Sequence, residues 1–184
     1  MPEVNILNDY PQPTAPRFVG RDMRTISHRI AAIKRDRNFF DGDRNLGYGG
    51  FKYDGRWVPI AERIIKHYKL ESSSRLLHLN CEKGFLINDL KNIRPSLQVA
   101  GTETSDYAIA HAMKEIKDTI TKISSIKLPF PNNSFNLVIG LSYVYIHSLK
   151  GAIQALKEIT RVSTGDAFIT LATYETEEDY FLFK

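Results

Sequence analysis

The sequence predicts an α/β fold, built on a doubly wound and mostly parallel β-sheet with an N-terminal helical extension. Short apolar segments alternate with helical segments after residue 75, and strands separated by helical crossovers are typical of parallel sheets. The first apolar segment runs through a short loop into a helix, which is where such sheets bind ligands. The chain has 184 residues, of which 42% are hydrophobic, enough for one hydrophobic core.

Residues 1–70 precede this alternating pattern. Residues 1–20 carry prolines among polar residues and are predicted to be a flexible arm. Residues 21–38 are predicted to form one helix with a single apolar stripe, at helical spacing, of Met23, Ile26, Ile30 and Ile33. Residues 41–57 contain too many glycines for a helix. Pro59 is suited to the first turn of the next helix.

The alternating region predicts five strands and three further helices. The strands are expected at residues 75–80, 98–104, 119–124, 136–142 and 166–173, and the helices at residues 85–92, 106–116 and 151–162. Ser105 is a suitable N-cap for the second of these helices. Gly165 is expected to end the third. We therefore expect an arm over residues 1–20, a helical and glycine-aromatic cap over residues 21–70, and an α/β domain over residues 71–184.

Composition restricts the classes of function. The net charge is +4, and residues 1–75 carry 14 Lys and Arg against 9 Asp and Glu. Solvated surface charge explains this bias better than nucleic-acid binding, so we expect no nucleic-acid partner. No apolar run is long enough to span a bilayer, and no signal-peptide pattern opens the chain. One cysteine, Cys81, excludes an internal disulfide and fits a reducing compartment, so we expect a cytoplasmic protein without membrane contact.

Two segments carry a resemblance to a known family. Residues 41–57 contain D-G-D-R, G-Y-G-G and Y-D-G-R-W, and residues 128–139 read L-P-F-P-N-N-S-F-N-L-V-I. From residue 41 to about residue 174 the chain resembles class I S-adenosylmethionine-dependent methyltransferases, in particular bacterial enzymes that act on small molecules. The resemblance implies a Rossmann-like cofactor domain over residues 71–184, S-adenosylmethionine as cofactor and a small-molecule methyl acceptor.

The resemblance also implies the site residues. The loop at Asn80, Cys81, Glu82 and Gly84 corresponds to the segment beside the methionine part of the cofactor. Glu103 and the adjacent Thr104 correspond to the ribose-binding position, where a carboxylate can accept hydrogen bonds from the hydroxyls. Further correspondences are Ser124 and Ser125 beside the adenine, Leu141 beside the methyl-transfer region, and a cap that includes Tyr48, Arg56 and Trp57.

The catalytic candidates lie after the fourth predicted strand. His147 is a candidate general base because histidine titrates near neutral pH. Tyr143 and Tyr145 either line a substrate pocket or pack beneath the following helix. His78, on a buried strand, is expected to be a hydrogen-bonded core residue, and Cys81 a small buried hydrophobe. Asp41, Asp43 and Asp54 match no calcium-loop spacing, so no metal site is expected.

Two departures from the family pattern motivate an alternative. Where the family reads D-V-G-C-G-K-G, residues 78–84 read H-L-N-C-E-K-G, which loses an acidic residue and two glycines. The sequence also ends soon after the fifth predicted strand, so we expect a homodimer or a protein partner to cover the sheet edge. The alternative hypothesis is a catalytically inactive protein of methyltransferase fold that serves as a binding or regulatory subunit.

Overall fold

A five-stranded parallel sheet forms the centre of the computed structural model, which describes residues 5–8, 10–11, 25–171 and 176–177. Its strands lie in the order β3-β2-β1-β4-β5, and every neighbouring pair is parallel. This confirms the predicted fold class. The strands are β1 (Arg75–Leu79), β2 (Gln98–Glu103), β3 (Ile120–Lys122), β4 (Phe135–Gly140) and β5 (Ser163–Ile169).

Six α-helices are found in the described part of the chain. They are α1 (Ile26–Lys34), α2 (Arg37–Asp41), α3 (Val58–His67), α4 (Phe85–Ile93), α5 (Asp106–Ala110) and α6 (Leu149–Val162). A short 3₁₀ turn, Lys117–Thr119, precedes β3. Ser105 caps α5, because its side chain accepts a hydrogen bond from Ala108 N. As predicted, no helix forms in residues 42–57.

The core lies on both faces of the sheet. Successive side chains of a strand point to opposite faces, and Leu76 packs with α3 and α4 whereas Leu77 and Leu79 pack with α6. His78 shares the face of Leu76. Ile6 is fully buried against α3, so this residue of the predicted arm belongs to the core; most of residues 1–20 lies outside the described residues.

The single helix predicted over residues 21–38 is wrong. Arg35 has φ 48° and ends α1, and Asp36 then caps α2 by accepting from Asn38 N at 2.8 Å. The apolar stripe is not buried: Ile26, Ile30 and Ile33 are 77%, 51% and 80% exposed, and Met23 lies outside the described residues. The spacing correctly predicts a helix, but the left-handed conformation of Arg35 ends it, and the apolar side chains of α1 are not packed against the sheet.

Two other boundaries differ from prediction for reasons of long-range pairing. The helix predicted over residues 106–116 ends at Ala110, and Met113 N instead donates to Lys83 O at 3.0 Å, outside the helical pattern. Gly165 does not end α6, which stops at Val162; Ser163 pairs with Phe135 and begins β5. In both places hydrogen bonds to another segment replace the helical ones.

Gly84 generates the first prediction. It has φ 77°, a conformation that costs a residue with a Cβ about 1–2 kcal/mol, and a Cβ there would overlap the side chain of Ile116. Gly84→Ala should therefore lower the free energy of unfolding by about 3 kcal/mol, measured by urea denaturation. Gly55→Ala is the matched control, because Gly55 also has φ 77° but has open space around it. Equal losses in the two variants would contradict the role of Ile116.

Candidate functional site

A cavity of about 400 Å³ lies where the strand order reverses. The chain passes from β1 outward through β2 and β3 and then returns to β4 on the other side of β1, so the loops after β1 and β4 diverge and leave a crevice. Asn80 to Glu82 line the cavity from the first loop, and Leu141 and Ser142 line it from the second. Its volume is typical of small-molecule pockets, which are about 300–1,000 Å³.

The loop after β1 retains a glycine-like backbone although only one glycine remains. Asn80, Glu82 and Gly84 have φ 55°, 56° and 77°, all in the left-handed region. Asparagine tolerates this region better than most residues, whereas a glutamate there costs about 1–2 kcal/mol. The loss of two glycines predicted from sequence is therefore not a loss of the loop conformation.

Glu103, at the end of β2, is fully buried and fully hydrogen-bonded. Its Oε1 accepts from Thr104 N at 2.7 Å and Ser105 N at 2.9 Å. Its Oε2 accepts from Glu82 N at 2.8 Å and lies 3.3 Å from Arg35 Nη2. The carboxylate thus joins the loop after β1 to the start of α5.

Arg35 brings the N-terminal helices onto this edge of the sheet. Its carbonyl accepts from Ser105 Oγ at 2.5 Å, and its guanidinium lies 5.1 Å from the Phe39 ring centroid and 5.3 Å from that of Phe40. Arg35 Nη2 also lies 3.5 Å from Glu82 Oε1. The Arg35 guanidinium therefore lies near two carboxylates, those of Glu82 and Glu103.

Glu82 is held by few groups in the cavity wall. Its Oε1 accepts from Tyr48 OH at 2.7 Å and from Arg35, and Oε2 has no hydrogen-bond partner among the described residues. Burial raises the pKa of Glu82 to about 7, against the opposing effects of Arg35 and Tyr48, and Glu103 raises it further. Burial and the Glu82 carboxylate raise the pKa of Tyr48, so Tyr48 remains a hydrogen-bond donor.

An ion pair between a buried lysine and a half-buried aspartate holds the end of α2 and the segment after it against the loop. Lys83 Nζ lies 2.7 Å from Asp41 Oδ2 and 2.9 Å from Asp41 Oδ1, and donates to Phe51 O at 2.8 Å. Asp41 also accepts from Phe51 N and from Tyr107 OH. Burial alone would raise the pKa of Asp41, but these hydrogen bonds outweigh it and hold the pKa at about 2.

Aromatic rings cover the cavity. Tyr48 stacks on Phe51 at 4.3 Å between ring centroids, and Phe51 stacks on Phe85 at 4.7 Å. Trp57 lies 4.9 Å from Tyr10. Phe51 joins this aromatic cover to the ion pair, because its ring belongs to the cover while its backbone contacts both Asp41 and Lys83.

Two polar side chains at the base of the cavity have no charge near neutral pH. His78 is 6% exposed, and neither of its ring nitrogens has a hydrogen-bond partner among the described residues. Burial lowers the pKa of His78 to about 4, so the ring is neutral. Burial also raises the pKa of the Cys81 thiol. The predicted hydrogen bond of His78 is therefore wrong for this structure, since the imidazole faces the cavity without one.

The cavity gathers part of the predicted site. Its wall includes these predicted cofactor-binding residues: Tyr48, Trp57, Asn80, Cys81, Glu82 and Leu141. Gly84 lies just behind it as the N-cap of α4. Arg56 pairs with Asp54 instead. Thr104, Ser124 and Ser125 are exposed at the carboxyl ends of β2 and β3, outside the cavity wall.

The predicted catalytic pair lies elsewhere. Tyr143 is buried among the side chains beneath α6, and its ring meets that of His147 at 5.2 Å. Neither residue lines the cavity, whereas Tyr145 does. Burial lowers the pKa of His147, which weakens it as a base near neutral pH. Their catalytic role stays a prediction.

Sequence reasoning missed several residues of the cavity wall. Phe51 belongs to the glycine-aromatic segment 41–57, which was singled out without naming this ring. Arg35 gave no signal, because the segment around it was predicted to be helical throughout. In the part of the chain that the structure describes, no helix is long and apolar enough to cross a membrane, and no group of three His, Cys, Asp or Glu side chains could hold a metal ion.

Comparisons with known proteins agree with this geometry. Residues 77–170 match the family described as methyltransferase domain, which covers just over half of the chain. No curated protein matches this chain.

Solved structures share the fold at low identity. A candidate S-adenosylmethionine-dependent methyltransferase from Methanococcus maripaludis is 15% identical with a TM-score of 0.52, over 84% of this chain and 67% of that one. The PH0226 protein from Pyrococcus horikoshii is 19% identical with a TM-score of 0.52, over 71% and 59%. An S-adenosylmethionine-dependent methyltransferase from Aquifex aeolicus is 16% identical with a TM-score of 0.47, over 56% and 57%. The matched region spans 59% of the Pyrococcus chain and 57% of the Aquifex chain, less than two thirds of either.

The ion pair of Lys83 and Asp41 generates the second prediction. Asp41→Asn should lower the free energy of unfolding by about 3 kcal/mol, because it leaves a buried ammonium without its counter-ion. Chemical denaturation measures the loss. The control is Asp43→Asn, which is exposed and retains the side-chain oxygen that accepts from Asn45 N.

The same pair sets an acid dependence. Because the folded-state pKa of Asp41 is depressed to about 2, its contribution is present above about pH 4 and is lost as the pH falls towards 2. The stability difference between the wild-type chain and Asp41→Asn should therefore shrink over this interval. A difference that stays constant from pH 5 to pH 2 would contradict the assignment.

Proposed function

The chain belongs to the family of class I S-adenosylmethionine-dependent methyltransferases, and we propose that it transfers the methyl group of S-adenosylmethionine to a small molecule. The observation that supports this most is the cavity at the strand-order reversal, bounded by a loop whose left-handed residues keep the backbone path of a glycine-rich turn. The cavity has room for a small molecule, and its lining is largely apolar and aromatic.

The residues present fit the methionine part of this family's cofactor more readily than its ribose. The start of α4 offers backbone N–H groups to a carboxylate, whereas the N–H groups of Cys81, Glu82 and Gly84 already donate within the chain. His78 offers an unpaired ring nitrogen to the cavity. Glu103 suits ribose hydroxyls by its chemistry, but both of its oxygens already accept hydrogen bonds. Ribose binding there requires Arg35 Nη2 to release Oε2.

In such a reaction the chain itself would position the reactants and exclude water from them. S-adenosylmethionine supplies a methyl group on a sulfonium, which a nucleophile can displace in line. The loop after β1 would orient the donor, and the aromatic cover over Phe51 and Phe85 would exclude water from the reacting atoms. We assign no general base, since Tyr143 and His147 lie outside the cavity wall.

A second candidate is a binding or regulatory protein that has lost catalysis. The observation in its favour is that Glu103 has its hydrogen bonds filled from within the chain, with Arg35 at 3.3 Å. A partner is proposed at β5, which pairs only with β4 among the described strands. Light scattering of the purified chain tests this, since a stable monomer would count against a second copy at that edge.

The free thiol of Cys81 supports a cytoplasmic location.

The test of the proposed function is calorimetric titration with S-adenosylmethionine and S-adenosylhomocysteine, followed by mass spectrometry of small-molecule acceptors incubated with the chain and the methyl donor. Micromolar binding and a methylated product are the expected results. Absence of binding at millimolar concentration would reject the enzyme and favour the second candidate.

Glu103 generates the third prediction. Glu103→Gln keeps the shape of the side chain but removes the charge that strengthens hydrogen bonds from hydroxyls, so the affinity for S-adenosylhomocysteine should fall about tenfold. Titration calorimetry measures it, and circular dichroism checks the fold. Asp118→Asn, an exposed carboxylate before β3, is the control. Unchanged affinity in Glu103→Gln would remove Glu103 from the binding site.

A further inference from the structure

We propose that the cavity binds a positively charged group of its ligand, the sulfonium of the methyl donor or the ammonium of an amine acceptor, and that Glu82 is the residue that selects for this charge. The inference rests on the proposed function and names the chemistry that the site recognises. Cation recognition is carried by the charges, the rings and the unpaired polar atoms of the cavity wall.

The charges at the cavity wall and directly behind it do not balance: Glu82 lines the cavity, and Glu103 is fully buried behind it. Glu82 and Glu103 share the single guanidinium of Arg35, and Glu82 Oε2 has no partner among the described residues. Lys83 does not supply the missing charge, since it pairs with Asp41. His78 is neutral. A ligand cation beside Glu82 would complete the pairing, whereas an anion there would meet the Glu82 carboxylate.

The rings around Glu82 suit a cation as well. The faces of aromatic rings attract positive charge, and here they already do so for the chain's own groups: Arg35 lies over Phe39 and Phe40, and Lys83 over Phe51 and Tyr107. Tyr48 and Phe51 stack at 4.3 Å in the cavity wall next to Glu82. Aromatic faces beside a carboxylate form a binding site for an organic cation.

The base of the cavity carries a buried polar side chain without a hydrogen-bond partner among the described residues. His78 is more than nine-tenths buried and lines the cavity, yet both ring nitrogens lack partners among the described residues. An unsatisfied buried polar group costs about 1–3 kcal/mol. A polar ligand that hydrogen-bonds His78 would remove this cost. His78 and Glu82 therefore mark two polar contacts for one ligand in a cavity whose lining is largely apolar.

The backbone supports a role for the Glu82 side chain. Its N–H bond to Glu103 would form with any residue other than proline, and its φ of 56° favours glycine. A glutamate in this conformation carries a cost, and Glu82 lines the cavity. Strain of this kind is common at binding sites.

The test compares ligands that differ in charge and little else. S-adenosylmethionine carries a sulfonium, and S-adenosylhomocysteine carries a neutral thioether at the same place. Choline and 3,3-dimethylbutanol differ only by a quaternary nitrogen against a carbon. Titration calorimetry of the full chain at pH 8 should show S-adenosylmethionine binding at least about fivefold more tightly than S-adenosylhomocysteine, or choline more tightly than its neutral isostere.

Glu82→Gln should abolish the preference, and the exposed Glu115→Gln should retain it. Tyr48→Phe, which removes the hydrogen bond to Glu82, should weaken the preference without removing the charge. A preference in the first pair assigns the cation to the methyl donor, and one in the second pair alone assigns it to an amine acceptor. Equal binding within both pairs, or an unchanged preference in Glu82→Gln with a native fold, overturns the proposal.

The pH dependence gives a second readout. The titratable and charged groups that face Glu82 are Arg35 after α1, Tyr48 in the cap, Cys81 beside it and Glu103 on β2. Because its pKa is about 7 in the free chain and a cation favours the carboxylate, affinity should rise about threefold or more from pH 6 to pH 8 and then level off. Glu82→Gln should flatten this rise.

Failure of the proposed function gives a different pattern. If neither adenosyl ligand binds at millimolar concentration, methyl transfer is rejected, but the choline pair still tests the cavity. A choline preference that depends on Glu82 would then support a cation-binding site without methyl transfer, and no preference would reject both proposals.

Discussion

The cavity depends on the buried ion pair of Lys83 with Asp41. Lys83 belongs to the loop after β1, whereas Asp41 ends α2, and the carboxylate also bonds Phe51 N and Tyr107 OH. A buried charge without its partner is strongly unfavourable, so these segments must meet. Their meeting places the rings of the cap over the crevice of the sheet and gives a partly covered, largely apolar site.

A second group of charges decides the character of that site. Arg35, Glu82 and Glu103 form a triad with an excess of negative charge, and Glu103 is already saturated by backbone N–H groups. The same carboxylates contact Arg35 and so hold the N-terminal helices against the sheet. Under the proposed function, a ligand that reached Glu103 would have to displace Arg35 from Oε2.

The success of prediction differs between parts of the chain. The strands of the sheet and the N-cap at Ser105 followed from local patterns, since periodicity and capping act within a few residues. The helix predicted through Arg35 and the role given to Gly165 failed because contacts with distant segments overrode local preference. The loop at Asn80 and Glu82 was expected to be degenerate by its lost glycines, but both residues adopt the glycine conformation.

By itself the sequence determined the parallel sheet and the loop after its first strand as a ligand site, because apolar periodicity and loop position follow from local chemistry. The family was indicated separately, by the resemblance of residues 41–57 and 128–139 to known enzymes. Tertiary structure alone decided what fills the cavity wall. Arg35 meets Glu82 and Glu103 across 47 and 68 positions of the chain, and His78 faces the cavity without a partner. Such contacts depend on how segments that carry no mutual signal in sequence are brought together by packing and by a buried ion pair.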